Sequence, residues 1–313
     1  MKVDACILGR IGYDLISEEP GVPLRNVRRF SRYLGGSSAN MAVGLSRLGL
    51  KTAILGAVSD DPLGDFLVEF LKAEGVDTSR VQRVPGFESS LSLTEVSPPD
   101  RFPQVFYRKQ AADTQVRLSD NDLALVAGAG VFITNGTSLC ASPSRESTYR
   151  ALSAARAAEV KVVLDVDYRA MSWPTPQDAG LAVRLALPCV DMLIGNDLEL
   201  QLAAGRSATE AAVDELRAAG VPVLVSKLGD KGTRLYTPEE TLFAPPLPVE
   251  VVSTIGAGDG FASGFLYGYI KEMPWDSCLR YGNAAAAIVV SRLSCSEAMP
   301  RLNEVEELLA QLL

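Results

Sequence analysis

The sequence predicts an α/β fold, a doubly wound, mostly parallel sheet with helices on both faces, together with a small β unit standing off it. Three observations carry that expectation. Apolar strand-like runs alternate with helical patterns through the middle and C-terminal parts of the chain, as parallel strands joined by crossover helices require. Two stretches, Gly12–Leu34 and Ser89–Arg108, break the alternation and lack helical periodicity. Composition allows a large core: 47% of the 313 residues are hydrophobic and 22% charged, the balance of an ordinary globular chain.

The opening MKVDACILGR has one Lys, a short apolar run and then Gly-Arg; it reads as a first strand, not a signal peptide. Val131–Thr134 is a strand, and Ser142 caps a helix that has Pro143 at its first position and runs to about Ala158. Lys161–Asp165 is the next strand, with a helix around Gln177–Ala186. Met192–Gly195, a helix over Ser207–Ala219 and the strand Val223–Lys227 continue the pattern. Val249–Val252 is strand-like. Helices follow at Ala257–Ile270, Asp276–Ser291 and from Asn303, where Glu306 is placed for a capping box. The two irregular stretches, the second split by Ser97-Pro98-Pro99-Asp100, form a small β lid of about residues 12–34 and 86–110 in a single domain over 1–313. Such a flap can close on a substrate and exclude water, although plain surface hairpins fit the pattern equally well.

A net charge of −8 without any basic block argues against a nucleic-acid partner, which needs a concentrated Lys/Arg surface. The longest apolar runs, such as Ala284–Val290, fall far short of the roughly 20 residues of a membrane span. The chain is therefore expected in the cytoplasm, away from membranes. Cys6, Cys140, Cys189, Cys278 and Cys295 are scattered and form no C-x-x-C pair; they read as free thiols of a reducing compartment. Histidine is absent, which removes imidazole bases and histidine-zinc chemistry together. Proton transfer falls to a carboxylate, Lys, Tyr or Cys.

The strongest chemical signal is Ser253-Thr254-Ile255-Gly256-Ala257-Gly258-Asp259-Gly260-Phe261 at the start of a helix. Bare backbone N–H groups and the helix dipole there favour an anion. An Asp in that place repels phosphate, yet suits a base beside a transferring phosphoryl group. On spacing alone, an Asp cap with glycine in a turn stays open. The segment is no dinucleotide fingerprint, since Phe261 occupies the sixth position and the site is far C-terminal. Gly44-x-x-x-x-Gly49-Leu50-Lys51-Thr52 misses a P-loop by one residue, and Gly49 reads as a helix C-cap. The second signal is Gly35-Gly36-Ser37-Ser38-Ala39-Asn40, leading into a helix through Leu48. It lets a polyol approach the backbone and offers it an amide, but ordinary capping explains it as well.

Together these two regions resemble the signatures of the ribokinase/PfkB family of carbohydrate kinases, and further matches extend the resemblance over essentially the whole chain. It implies a ribokinase-like fold, ATP and Mg²⁺ as cofactors, and a small-molecule sugar or sugar acid as acceptor. It implies Asp259 as catalytic base, with Gly256, Ala257 and Gly258 supplying the anion hole. Asn196-Asp197-Leu198-Glu199 is similar to the family's N-x-x-E element, with Glu199 reaching Mg²⁺ through water. Lys227-Leu228-Gly229-Asp230-Lys231-Gly232 resembles its nucleotide loop, implying Lys227, Gly229 and Gly232 as contacts, and Asn283 falls beside the adenine pocket. Asp14 falls where the family holds sugar hydroxyls, with Gly35, Gly36, Ser37 and Asn40 around the acceptor. Many members carry Asp where this chain has Ser253; K⁺ could still bind near the Ser253 and Ile255 carbonyls. Members often form homodimers through the lid.

Asp165-Val166-Asp167-Tyr168-Arg169 and Gln104-Val105-Phe106-Tyr107-Arg108 are similar to segments of acid-sugar kinases, implying Tyr107, Arg108 and Arg169 at a carboxylate. A surface ion pair or a nucleotide contact is the alternative for each arginine. Gly9-Arg10-Ile11-Gly12-Tyr13-Asp14-Leu15 and the tail around Cys295 and Met299 resemble the 5-dehydro-2-deoxygluconate kinases within the family. Behind them stand 2-dehydro-3-deoxygluconate kinases and fructokinase-like or ribokinase-like members. A non-catalytic sugar- or nucleotide-binding relative also stays open, though a binder has no need of Asp259.

Overall fold

The computed structural model describes residues 2–97 and 101–311; Pro98, Pro99 and Asp100, at the expected split of the second lid stretch, lie outside them. The chain opens with β1 (Ala5–Leu8), β2 (Gly12–Ser17), β3 (Phe30–Gly35), α1 (Ser37–Arg47) and β4 (Thr52–Ser59). Next come α2 (Pro62–Ala73), β5 (Val81–Val84), β6 (Ser90–Thr94), β7 (Gln104–Tyr107) and α3 (Asp120–Ala127). The alternating middle holds β8 (Val131–Asn135), α4 (Ser144–Ala157), β9 (Lys161–Asp165), α5 (Pro176–Ala186) and β10 (Met192–Asn196). It continues as α6 (Asp197–Ala204), α7 (Thr209–Ala218), β11 (Val223–Lys227), β12 (Thr233–Tyr236) and β13 (Thr241–Ala244). Three helices close the chain, α8 (Ala257–Ile270), α9 (Trp275–Val290) and α10 (Leu302–Ala310).

Among the described residues, nine strands form one sheet in the order β13-β12-β11-β10-β9-β8-β1-β4-β5. The pairs from β11 through β5 are parallel, and β12 and β13 are added antiparallel. Both faces are covered, as the near-continuous apolar strands demand. Successive β1 side chains go to opposite cores: Ala5 and Ile7 pack with α1, α8 and α9, whereas Cys6 and Leu8 pack with α4 and α5. The second sheet, β3-β2-β6-β7, is the small β unit. Among the described residues no helix is long and apolar enough to cross a membrane.

Several local expectations need correction. Val249–Val252 is irregular, not a strand; Pro246 and Pro248 precede it, and the Val252 and Ser253 N–H groups both donate to the Val290 carbonyl and not to a neighbouring strand. Ser142 does not cap α4; its hydroxyl donates to Glu146 at 2.7 Å and the helix starts at Ser144. The box at α10 uses Glu304, which accepts from the Arg301 N–H at 2.7 Å, because the helix is capped at Arg301, two residues before the Asn303 that a Glu306 box needs. Gly49 does end α1 in a left-handed conformation, φ +91°. All five cysteines are free.

Helix α1 carries part of the site, and its far end is fixed by Arg47. That guanidinium grips Glu74 with two bonds of 2.7 and 2.8 Å and donates to the carbonyls of Glu297 and Met299. It thereby ties α1 to the end of α2 and to the tail. Bonding to Arg47 lowers the Glu74 pKa, burial opposing it. The stabilisation is therefore present above the unfolded carboxylate range and is lost as pH falls through the lowered folded-state value. Arg47→Met should cost about 3 kcal/mol in denaturant unfolding near neutral pH, and the difference from wild type should shrink toward pH 3. An unchanged midpoint would show that the clamp adds nothing.

Candidate active site

Strand order reverses at β1, and in open α/β sheets ligands bind beyond the carboxyl ends of the strands at such a point. A cavity of about 440 Å³ lies there, between those strand ends, the small sheet and the N-terminus of α8. A second, more apolar groove of about 540 Å³ continues from it past Gly229 and Gly232 between the Pro246–Val251 segment and α9. Lys227, Gly229, Thr254 and Gly258 line both.

Asp259 sits at their junction. Gly256 precedes α8 with φ +79°, and a side chain there would approach the Cys295 backbone within 3.0 Å; glycine meets both demands. The turn leaves Ala257 and Gly258 as the first residues of α8; the Ala257 N–H makes only a long bond of 3.4 Å to the Thr254 carbonyl, and both N–H groups stand at the positive end of the dipole. Asp259 Oδ1 accepts from the Ser37 hydroxyl and Oδ2 from the Asn40 amide, each at 2.7 Å. The two signature regions, 222 and 219 residues apart in sequence, thus meet on one carboxylate. Burial and then nearby Asp167 push the Asp259 pKa up, while the Asn40 and Ser37 bonds and Arg169 pull against that rise. A raised pKa is what a base working near neutrality needs.

Two cations near it are paired with carboxylates. Lys227 Nζ lies 3.0 Å from Asp165; burial disfavours the ammonium, but Asp165 and Glu199 more than offset this and hold it protonated. Arg169 meets Asp167 at 2.9 Å, with half of its side chain open to the cavity. Glu199 caps backbone instead of pairing with a cation, accepting from the N–H groups of Asn196 and Tyr168 at 2.8 and 2.9 Å. Asn196 in return accepts from Glu199 N–H. On the small sheet, Asp14 accepts from the Ser92 hydroxyl at 2.6 Å, and Gly35 lies against its carboxylate.

The structure brings most of the expected residues together. Asp14, Gly36, Ser37, Asn40, Arg169, Asn196, Glu199, Lys227, Gly229, Gly256, Gly258 and Asp259 all line the main cavity, and Gly232, Ala257 and Asn283 line the groove. Three expectations change. Tyr107 is 60% exposed because alternation along β7 turns Gln104 and Phe106 inward and Val105 and Tyr107 outward. Asn283 reaches the groove wall with its amide already used: it accepts from Thr233 and donates to the Ala244 and Pro245 carbonyls. Arg108 borders the cavity, but all five of its N–H donors are taken. They bond to Asp113 twice, to the Thr137 carbonyl, to Cys140 and to Ser172. It has no fork left for a substrate carboxylate. Ser253, in doubt as a cation site, is fully buried and accepts from Ile255 N–H. Residues that line the cavity but were not expected there include Arg10, Ser92, Phe106, Asp165, Asp167 and Cys295. Strand alternation could have found Phe106, and the turn after the first strand at the order reversal could have found Arg10.

With this geometry, comparison with known proteins is decisive. The family model of pfkB family carbohydrate kinases matches residues 2–302. The chain belongs to that family. It is a carbohydrate kinase, a phosphotransferase with a sugar-type hydroxyl as acceptor. It is 38% identical over 314 residues to the 5-dehydro-2-deoxygluconokinase of Shouchella clausii, covering 99% of this chain and 96% of that one. It is 36% identical over 315 residues to the enzyme of the same name from Geobacillus kaustophilus, covering 99% and 94%. Among solved structures it resembles an ATP-bound fructokinase from Xylella fastidiosa, with TM-score 0.87, 26% identity and 99% of each chain covered.

Two outcomes follow for this kinase. Asn40→Ala or Ser37→Ala removes a bond that favours the Asp259 carboxylate, so the acid limb of the kcat/KM profile should move to higher pH; an unmoved limb would detach it from Asp259. Arg108→Leu leaves Asp113 buried without its cation and should cost about 3–5 kcal/mol of stability, with Asp113→Asn restoring part of it. A stable Arg108→Leu protein with a raised acceptor KM would return Arg108 to the sugar site.

Proposed function

We propose that this kinase moves the γ-phosphoryl group of ATP to a hydroxyl of an acid sugar, with 5-dehydro-2-deoxygluconate as the first candidate. The observation that carries the proposal is the Asp259 carboxylate, held by Ser37 and Asn40 beside the bare helix start where the cavity and the groove meet. The relatives named 5-dehydro-2-deoxygluconokinase, similar over nearly the whole chain, support the choice of sugar. Arg169, half open to the cavity, supports an anionic acceptor.

The groove suits a nucleotide. Its walls are apolar, from Pro246, Leu247 and Val249 on one side to Ala286 and Val290 on the other, and it opens toward Lys227 and Gly258. Gly229 and Gly232 adopt φ +63° and +99°, so bare backbone faces the phosphate end. Among the described residues no cluster of three His, Cys, Asp or Glu could cage a metal. Glu199, which lines the cavity, would hold Mg²⁺ through water, and the ion would offset phosphate charge there. Bound Mg-ATP supplies the phosphoryl group and offsets part of its charge. The N–H groups of Ala257 and Gly258, with the α8 dipole, face charge that grows as the group moves. Lys227 adds a fixed positive charge, kept in place by Asp165. Asp14 and Asn40 orient the acceptor, and Asp259 takes the proton of its hydroxyl as the new O–P bond forms. Burial around Asp259 disfavours its charge before reaction and makes it the stronger base.

The test is ADP release with Mg-ATP against 5-dehydro-2-deoxygluconate, 2-dehydro-3-deoxygluconate, fructose, ribose and adenosine. The expected result is the highest kcat/KM for the first, and a fall of about 10²- to 10⁴-fold in kcat for Asp259→Asn with ATP affinity kept. Preference for a neutral sugar would overturn the acceptor. Near-normal turnover by Asp259→Asn would overturn the base.

A further inference from the structure

We infer that Arg10 is the residue that grips the acceptor's carboxylate and so sets specificity for acid over neutral sugars; this rests on the acid-sugar reading above. The cavity is lined by four cations, Arg10, Arg108, Arg169 and Lys227. Three of them have a carboxylate beside them: Asp113 at Arg108, Asp165 at Lys227 and Asp167 at Arg169, which meets it through one nitrogen and keeps half of its side chain open. Among the described residues, Arg10 has no carboxylate partner. Its guanidinium donates to the Ser90 hydroxyl at 3.1 Å and lies 5.6 Å from the centre of the Phe106 ring. Most of its donor fork is therefore unused, in a partly buried position.

The surroundings hold that fork toward the acceptor. A side chain at Gly12 would come within 2.5 Å of the Ser90 hydroxyl and 2.9 Å of the Arg10 guanidinium, so the bare backbone there leaves the space that Arg10 fills. Phe106, on the inner face of β7, lies within cation–π reach of it. Arg10 lies on the Asp14 side of the cavity and is absent from the lining of the groove. Its charge is thus aimed at the acceptor and away from the donor nucleotide. A planar carboxylate can take two parallel bonds from this fork. A neutral sugar would cover the charge without answering it, and that costs binding.

The measurement is steady-state kinetics of the full-length enzyme with 5-dehydro-2-deoxygluconate and with ATP as varied substrates, for wild type, Arg10→Gln and Arg10→Lys. Arg10→Gln should raise the acid sugar's KM about 10- to 100-fold and the KM for ATP less than about threefold, with Arg10→Lys in between because it keeps charge without the fork. If Arg10→Gln does not fold, Arg10→Lys decides alone, a rise of about 10-fold supporting the assignment. An acid-sugar KM close to wild type in both variants, or an equal rise in the KM for ATP, would overturn it. Wild-type turnover of fructose with none of an acid sugar would remove the acid-sugar reading itself, and this assignment with it. Acid-sugar turnover that both variants retain at wild-type KM removes the assignment and leaves the reading standing.

Discussion

The structure turns on one buried carboxylate whose hydrogen bonds favour its charge while burial opposes it. Asp259 stands at the start of a helix whose exposed N–H groups invite phosphate, in a cleft that already holds Asp14, Asp165, Asp167 and Glu199. Its hydrogen bonds to Ser37 and Asn40 favour the ionised form against desolvation and against Asp167. They also fix α1 against α8, elements more than two hundred residues apart. The main sheet, the two covering layers and the Arg47 clamp are thus conditions for a geometry on which two bonds of 2.7 Å depend.

Charge in the cleft follows one rule: a cation with a structural duty has its own carboxylate. Asp165 holds Lys227, Asp167 steadies Arg169, and Asp113 locks Arg108 where the small sheet meets the loops after β8 and β9. These pairs leave little free attraction for stray anions, which suits a protein with a net charge of −8. An anionic substrate must then be recognised at particular points. Points open to it are the helix start at Gly256–Gly258, the open part of Arg169 and Arg10, which among the described residues has no carboxylate partner.

Much of this was legible in the sequence, for identifiable reasons. The strands from β8 to β11 and the helices α5 and α8 stand out because parallel strands buried on both faces read as short apolar runs between amphipathic helices. The Gly-Ala-Gly-Asp start of α8 is legible because its chemistry is local to one turn. Val249–Val252 misled for the same reason that exposed the true strands: valine-rich runs look alike whether or not a neighbour is free to pair. Pro246 and Pro248 were the local warning. The contact of Ser37 and Asn40 with Asp259 is a tertiary fact, and no periodicity within either segment reports it.

Arg108 and Arg10 show where motif reading stops. A Tyr-Arg at the end of a strand of the small sheet raises the expectation of a guanidinium at the cavity, and Arg108 does border it. Spacing says nothing of how many of its five donors remain free. Asp113, five residues on, takes two of them, while Thr137, Cys140 and Ser172 come from loops that only the folded sheet brings close. Arg10 follows the first strand in an unremarkable Gly-Arg, yet the fold sets it at the order reversal with Gly12 bare beside it and Asp113, Asp165 and Asp167 already paired elsewhere. Which arginine can bind a substrate is decided by the carboxylates that the other cations have taken, a property of the whole cleft and of no single segment.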